Sequence, residues 1–117
     1  MGVRTEYGWV EIDDQKFEND VVFHVDHSVT KRKKKLSKGL RDEYGHTPLS
    51  EHELKFLDDE RPEVVIIGTG QSGSLPITPK AQKILDHYDA VIERTPQAIE
   101  SMVHETRPYV AILHVTC

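Results

Sequence analysis

The aliphatic run Val64-Val65-Ile66-Ile67 leads straight into Gly68-Thr69-Gly70-Gln71-Ser72-Gly73. A continuous apolar strand ending in a glycine-rich turn belongs in a sheet covered on both faces. Two similar segments follow. Thr78-Pro79 and Thr95-Pro96 each open a stretch whose apolar residues recur at helical spacing, and proline suits a first helical position. Ala81, Ile84, Leu85 and Tyr88 make one stripe, and Ala98, Ile99, Met102 and Val103 make the other. Ala90-Val91-Ile92 lies between these helices, and Tyr109-Val110-Ala111-Ile112-Leu113 follows them before the chain reaches Cys117. The core over about 62–117 therefore reads β-α-β-α-β, with strands near 63–68, 90–94 and 109–115. This order predicts an α/β fold whose sheet is at least partly parallel.

The first third has an extended pattern. Tyr7–Ile12 and Gln15–Phe17 flank a turn signal at Asp13-Asp14, and Asn19-Asp20 precedes the β-rich run Val21–Val25. An antiparallel β-meander over about 6–26 is the simplest account, placed at the edge of the main sheet or across one face. No helical period emerges before residue 49. Leu49-Ser50-x-x-Glu53-Leu54 then has the form of a capping box with a hydrophobic staple, and Arg61-Pro62 would end that helix. At 117 residues the chain is expected to be a single α/β domain, 1–117.

Fifteen basic and twenty acidic residues give a net charge of −5, and the 37% hydrophobic share is ordinary for a globular domain. No apolar run approaches the ~20 residues of a membrane helix, and no basic-flanked apolar leader opens the chain. A cytoplasmic protein without membrane contact is expected. Cys117, the single cysteine, excludes an internal disulfide and reads as a packing residue at the end of the last strand.

The charge is unevenly placed. Seven basic and no acidic residues fall within 31–41, while the remainder holds eight basic against twenty acidic, a balance of −12. This basic arm, about 29–45, is centred on Lys31, Arg32, Lys33, Lys34 and Lys35. It reads either as a solvated, self-repelling loop or as a contact for an anionic ligand or partner. A nucleic-acid face would be broader, so nucleic acid is not the expected partner.

Gly68, Gly70 and Gly73 fit the dinucleotide fingerprint in letters, and Glu93 lies at about the ribose-binding distance. That motif requires a helix to start inside the glycines, whereas Pro76 would break one there and Thr78-Pro79 starts the helix later. No dinucleotide cofactor is expected. Ser72 and Ser74 lack the spacing of a nucleophile elbow. Two readings of the loop stay open. Gly68, Thr69, Gly70, Gln71, Ser72 and Gly73 could present backbone N–H groups to a small phosphorylated or carboxylated ligand, or could only provide a tight passage. Among seven histidines, His24 and His27 are three apart on a strand and point to opposite faces, and the rest are scattered, so no metal site is expected.

Val65-Ile66-Ile67-Gly68-Thr69-Gly70, the Leu75–Leu85 helix entry, Thr95, Gly45-His46 and the closing His114-Val115-Thr116-Cys117 together resemble a known family. It is the small domain-of-unknown-function family that includes the adipogenesis-associated domain protein and the mitochondrial respiratory complex I assembly factor 3. The resemblance spans about residues 6–117, and the closing His-x-Thr-Cys is more similar to the animal cytosolic branch. It implies a three-layer α/β domain with a mixed central sheet, flanking helices and an N-terminal antiparallel β-layer, with no established catalytic residues and no cofactor. Two stretches differ from the family pattern: the basic run at 31–38, where relatives often carry tryptophan, and Ile99-Glu100-Ser101-Met102, where many have a Tyr-Asn pair. The resulting expectation is a cytosolic interaction or adaptor domain with an unknown protein partner. The alternative is a binder or weak enzyme for a small anionic ligand at the loop 68–73.

Overall fold

The computed structural model describes residues 1–117 and places their strands in two sheets. β1 (Val3–Glu6), β2 (Trp9–Ile12) and β3 (Gln15–Phe17) form an antiparallel sheet in that order. Gly8 turns the first hairpin and Asp13-Asp14 the second, all three with positive φ. Aspartate enters this left-handed region more readily than most side chains, which is why the pair can turn here. β4 (Val21–Phe23) leaves the meander and joins the main sheet.

That sheet also contains β5 (Val29–Lys31), β6 (Val64–Thr69), β7 (Asp89–Glu93) and β8 (Tyr109–His114), in the order β5-β4-β8-β6-β7. β6 runs parallel to β7 and β8, while β4 is antiparallel to β5 and β8. The sheet is therefore mixed, and the meander does both things open to it: three strands pack across a face and the fourth extends the sheet. The helices are α1 (Arg41–Tyr44), α2 (Leu57–Glu60), α3 (Pro79–Leu85) and α4 (Thr95–His104).

Alternation along the strands divides the core in two. Val21, Phe23, Val64, Ile66, Ala111 and Leu113 pack with α4 and with Val10 and Ile12 of β2. Val22, Val65, Ile67, Val110 and Ile112 face the other way, onto Leu49, Leu54, Leu57, Ala81 and Leu85. Each fully buried branched side chain in these clusters contributes about 1.5–3 kcal/mol from desolvation. Two layers thus enclose the central sheet, in the three-layer α/β arrangement.

Three local expectations are corrected. Short helical turns occur before residue 49, at Lys34–Leu36, Lys38–Leu40 and α1. The capping box does not form: Ser50 makes no side-chain cap bond, and its Oγ lies 2.6 Å from Ser37 Oγ. Glu53 turns to Arg32, so the segment is a 3-10 turn, Glu51–Glu53, followed by α2. The two Thr-Pro openings also differ. Thr78 caps α3, its Oγ1 accepting from the Ala81 N–H at 3.1 Å. Thr95 is the first residue of α4 and its side chain does not cap the helix.

Thr95 Oγ1 instead accepts from the Gly70 N–H at 2.9 Å and donates to the His114 carbonyl at 2.6 Å. It ties together the C-terminal ends of β6 and β8 where α4 begins. Gly68 makes room for it, since a Cβ there would lie 2.8 Å from that same oxygen. Thr95→Val should therefore cost about 1–3 kcal/mol, because it leaves the buried Gly70 N–H without its acceptor. Thr95→Ser should keep most of the stability. Urea unfolding of both variants checks this, and a larger loss for Thr95→Ser than for Thr95→Val would mean that the methyl packing matters and the hydroxyl does not.

Candidate functional site

β6 sits where the connections diverge, reaching β7 through α3 on one face, while β7 reaches β8 through α4 on the other. The end of such a strand is the usual ligand crevice of an open α/β sheet. Here that crevice is filled by residues 115–117. Gln71 N–H donates to the Thr116 carbonyl at 2.7 Å, and Ser72 and Ser74 N–H groups donate to the Cys117 oxygen at 3.1 and 2.9 Å. Gly70, at φ +104°, permits this approach, since a Cβ there would meet the Cys117 carbonyl carbon at 2.4 Å. Gly68 and Thr69 lie inside β6, and Thr69 Oγ1 donates to the Glu93 carbonyl. The loop does present N–H groups to oxygen, but that oxygen belongs to the chain itself. Cys117 lies beyond β8, half-buried, with its Sγ 3.7 Å from Tyr7 Oη. It therefore sits just past the last strand and not within it, with its side chain against Tyr7.

The basic arm is not uniformly solvated. β5 pairs with β4 so that Val21 faces Lys31 and Val22 faces Thr30, and the Arg32 N–H continues the ladder to the Asp20 carbonyl at 2.9 Å. Arg32 is thereby set opposite Asp20, and its side chain is 1% exposed. Its Nε and Nη2 hold Glu53 Oε1 and Oε2 at 2.7 and 3.0 Å, Nη1 holds Asp20 Oδ2 at 2.9 Å, and Nη2 also reaches the Pro48 carbonyl. The lysines on either side, Lys31, Lys33, Lys34 and Lys35, are exposed. The reading of the run as one solvated surface is corrected at Arg32.

Asp20 is the second hub. Its Oδ1 accepts from the Val115 N–H at 2.9 Å, and Oδ2 also lies 2.8 Å from His114 Nδ1 and 3.4 Å from Lys34 Nζ. Burial pushes its carboxyl up, but the His114 hydrogen bond and charge, the Val115 N–H and Lys34 outweigh this and hold it well below the ordinary range. Burial likewise opposes the Arg32 charge, and the hydrogen bonds and charges of Glu53, then Asp20, hold the guanidinium protonated. Ser37 Oγ completes the network by donating to Glu53 Oε2 at 2.6 Å. Every buried side-chain polar atom has a partner.

His114 Nε2 lies 3.3 Å from Thr116 Oγ1, so Asp20, His114 and Thr116 form a carboxylate–imidazole–hydroxyl line. Arg32 engages the same carboxylate oxygen, and the larger concavities of the surface do not include His114 or Thr116 in their walls. His24 and His27 lie beyond β4 in the turn that leads to β5 and not on a strand, and there their side chains diverge, one to Glu60 and Thr30, the other to Phe23 and Tyr109. No three His, Cys, Asp or Glu side chains converge as metal ligands.

Two concavities adjoin the arm. One of about 640 Å³ is lined by Asp20 and residues 31–35. The other, about 340 Å³, lies between the arm and the Glu51–Glu60 segment over the sheet face of Val22 and Ile112. Sequence reasoning missed the second one, because its His24, His52, Lys55 and Phe56 come together only through folding.

No family model and no curated protein matches the chain. Solved structures do. A Mth938-like domain protein from Bordetella pertussis is 20% identical over 94% of this chain and 82% of its own, with a TM-score of 0.52. MT938 is 36% identical over 97% of this chain and 96% of its own, with a TM-score of 0.81. The chain belongs to the Mth938-like family. This Mth938-like chain is also similar over its full length to the conserved hypothetical protein PH1505 from Pyrococcus horikoshii OT3. That match covers all of both chains at 26% identity, with a TM-score of 0.86. No helix of this Mth938-like chain is long and apolar enough to cross a membrane.

Arg32→Met should lower the stability of this Mth938-like domain at pH 7 by about 3–5 kcal/mol, because it strands two carboxylates in the interior. The pH dependence separates this from lost packing. In the native protein the depressed Asp20 group stabilises fully above its unfolded-state value of about 3.9, and that contribution is lost as pH falls below it. In the variant, protonating the stranded carboxyls relieves their burial, so the deficit should shrink between pH 7 and about pH 4. Urea unfolding across that range is the measurement. A deficit that does not change with pH would assign the loss to packing.

Proposed function

We propose that this chain is a non-enzymatic, cytoplasmic interaction domain whose contact surface is Lys31, Lys33, Lys34 and Lys35, and that it engages an acidic segment of a protein partner. The observation that carries this reading is the buried Arg32. A self-repelling lysine run would sample many arrangements, but Arg32 and Ser37 fix its base and leave four ammonium groups around one concavity. Lost freedom on binding is correspondingly smaller. The rest of the chain, with its balance of −12, repels an extended polyanion but not a short acidic segment that meets the arm alone.

Within this reading Arg32 is the anchor of the arm and not a contact. The alternative, a small anionic ligand on Gly68–Gly73, would have to displace the Thr116 and Cys117 oxygens from the loop's N–H groups, so the arm is preferred. The closing His114-x-Thr116-Cys117 supports kinship with the adipogenesis-associated branch, and the complex I assembly role is not carried over.

Binding of a fluorescent polyglutamate peptide tests the proposal. Affinity should fall as salt rises from about 50 to about 200 mM. Lys33→Gln, Lys34→Gln and Lys35→Gln together should weaken binding at least about tenfold and flatten the salt dependence. Stability should change by no more than about 1 kcal/mol, as exposed charges allow. Unaltered peptide binding in the triple variant would overturn the reading. Tighter binding of a duplex DNA of equal charge would replace it with a nucleic-acid one.

A further inference from the structure

The cavity of about 340 Å³ beside the arm carries an inference that does not rest on the partner reading. Its floor is apolar: Val22 and Ile112 face each other across β4 and β8. Phe56 forms one wall and Leu36 another. Leu36 is 43% exposed although it sits at the cavity mouth on the arm's first helical turn. An apolar side chain left open beside an apolar floor is a surface that a ligand can cover. The volume falls at the lower end of the range for small-molecule sites.

The rim carries three lysines. Lys31 and Lys33 border the cavity on the arm side, and His52 and Lys55 border it on the opposite side. The acidic groups nearby are already engaged. Both Glu53 oxygens are held by Arg32, and both Glu60 oxygens by His24 and the Val25 N–H. An anion entering the cavity therefore meets free ammonium groups and no free carboxylate.

The floor, not the rim, selects among anions: lysine point charges hold phosphate as well as carboxylate, but the apolar floor suits an anion that carries an apolar body, and planar bidentate recognition would need a guanidinium fork. The one fork nearby, Arg32, is turned inward to Glu53, Asp20 and the Pro48 carbonyl. What remains are separate lysine point charges above an apolar floor. We infer that this cavity binds a small amphiphilic carboxylate, its apolar body on Val22, Ile112, Phe56 and Leu36 and its carboxylate at Lys33 and Lys55.

Titration of the intact chain with octanoate and with 3-phenylpropionate, followed by methyl NMR, tests this. Saturable shifts are expected at Val22, Leu36 and Ile112 for at least one probe. The matching neutral amides and acetate should each bind at least about tenfold more weakly, since one lacks the charge and the other the body. Leu36→Gln and Lys55→Gln, both at exposed positions, should each weaken binding without lowering the melting temperature. Lys34→Gln with Lys35→Gln, outside the cavity walls, should leave carboxylate binding intact while weakening polyglutamate binding, so the two proposals fail separately. No saturable shift at millimolar concentration, shifts confined to other methyls, or equal affinity for acid and amide would overturn the inference.

Discussion

The enclosed guanidinium of Arg32, held between Asp20 and Glu53, sets the geometry of one whole end of this domain. Removing three charges from water costs several kcal/mol per ion, and direct pairing offsets that only when the remaining donors and acceptors are satisfied. They are satisfied here, by the Pro48 carbonyl, the Val115 N–H, His114 and Ser37. A buried pair of this kind is weak evidence for net stability. Its effect is on arrangement: it fixes β5 against β4, draws the Glu51–Glu53 turn onto the sheet, and ties the end of β8 to the loop before β4. A one-residue slip of β5 would turn Arg32 to the other face, against Val21 and Phe23, and place Lys31 or Lys33 opposite Asp20.

The end of β6 shows the complementary constraint, close approach instead of charge. Gly68 and Gly70 remove the Cβ atoms that would collide with Thr95 and Cys117, and the space they leave is taken by the Thr95 hydroxyl at one and by the Cys117 backbone at the other. The Gly8 N–H reaches the Val115 carbonyl, and Gln71 Nε2 reaches Thr5 Oγ1, so the N-terminal sheet closes over the same segment. A crevice that many open α/β sheets leave free is here a structural joint, and the two concavities that adjoin the basic arm lie at the far edge of the sheet, beside β5.

The β-α-β-α-β half was legible because periodicity and proline placement are local signals. Thr78-Pro79 and the stripe from Ala81 to Leu85 specify α3 without reference to the rest of the chain. The capping box failed because Glu53 had a stronger partner, 21 residues away in sequence, than its own backbone. Thr95 looked like a second cap because its local sequence repeats that of Thr78, and only the approach of β6 and β8 gives its hydroxyl another use. Arg32 was hidden in a run of five cations. One signal was available: if β5 continues its alternation, Thr30 and Arg32 share a face with Val22, opposite Asp20. Arginine is also the better cation for a buried fork, and every neighbour in the run is lysine. The cavity beside the arm had no sequence signal, because its walls come from separate segments of the chain.

The run from Lys31 to Lys35 thus holds two kinds of charge that composition cannot separate. The planar fork is turned inward, where its several donors meet two carboxylates, and the strongly hydrated ammonium groups stay in water. Lys31 and Lys33 border both concavities, while Lys34 and Lys35 belong to the wider one and Lys55 to the narrower. A carboxylate held at Lys33 would neutralise part of the field that attracts an acidic segment, so the two occupants would oppose each other. Linkage makes that opposition reciprocal: whatever factor a bound carboxylate removes from partner affinity, the partner removes from carboxylate affinity. The Arg32 contacts to Asp20, Glu53 and the Pro48 carbonyl involve neither concavity's lysines, so such a coupling would run through the shared Lys33 and not through the buried fork.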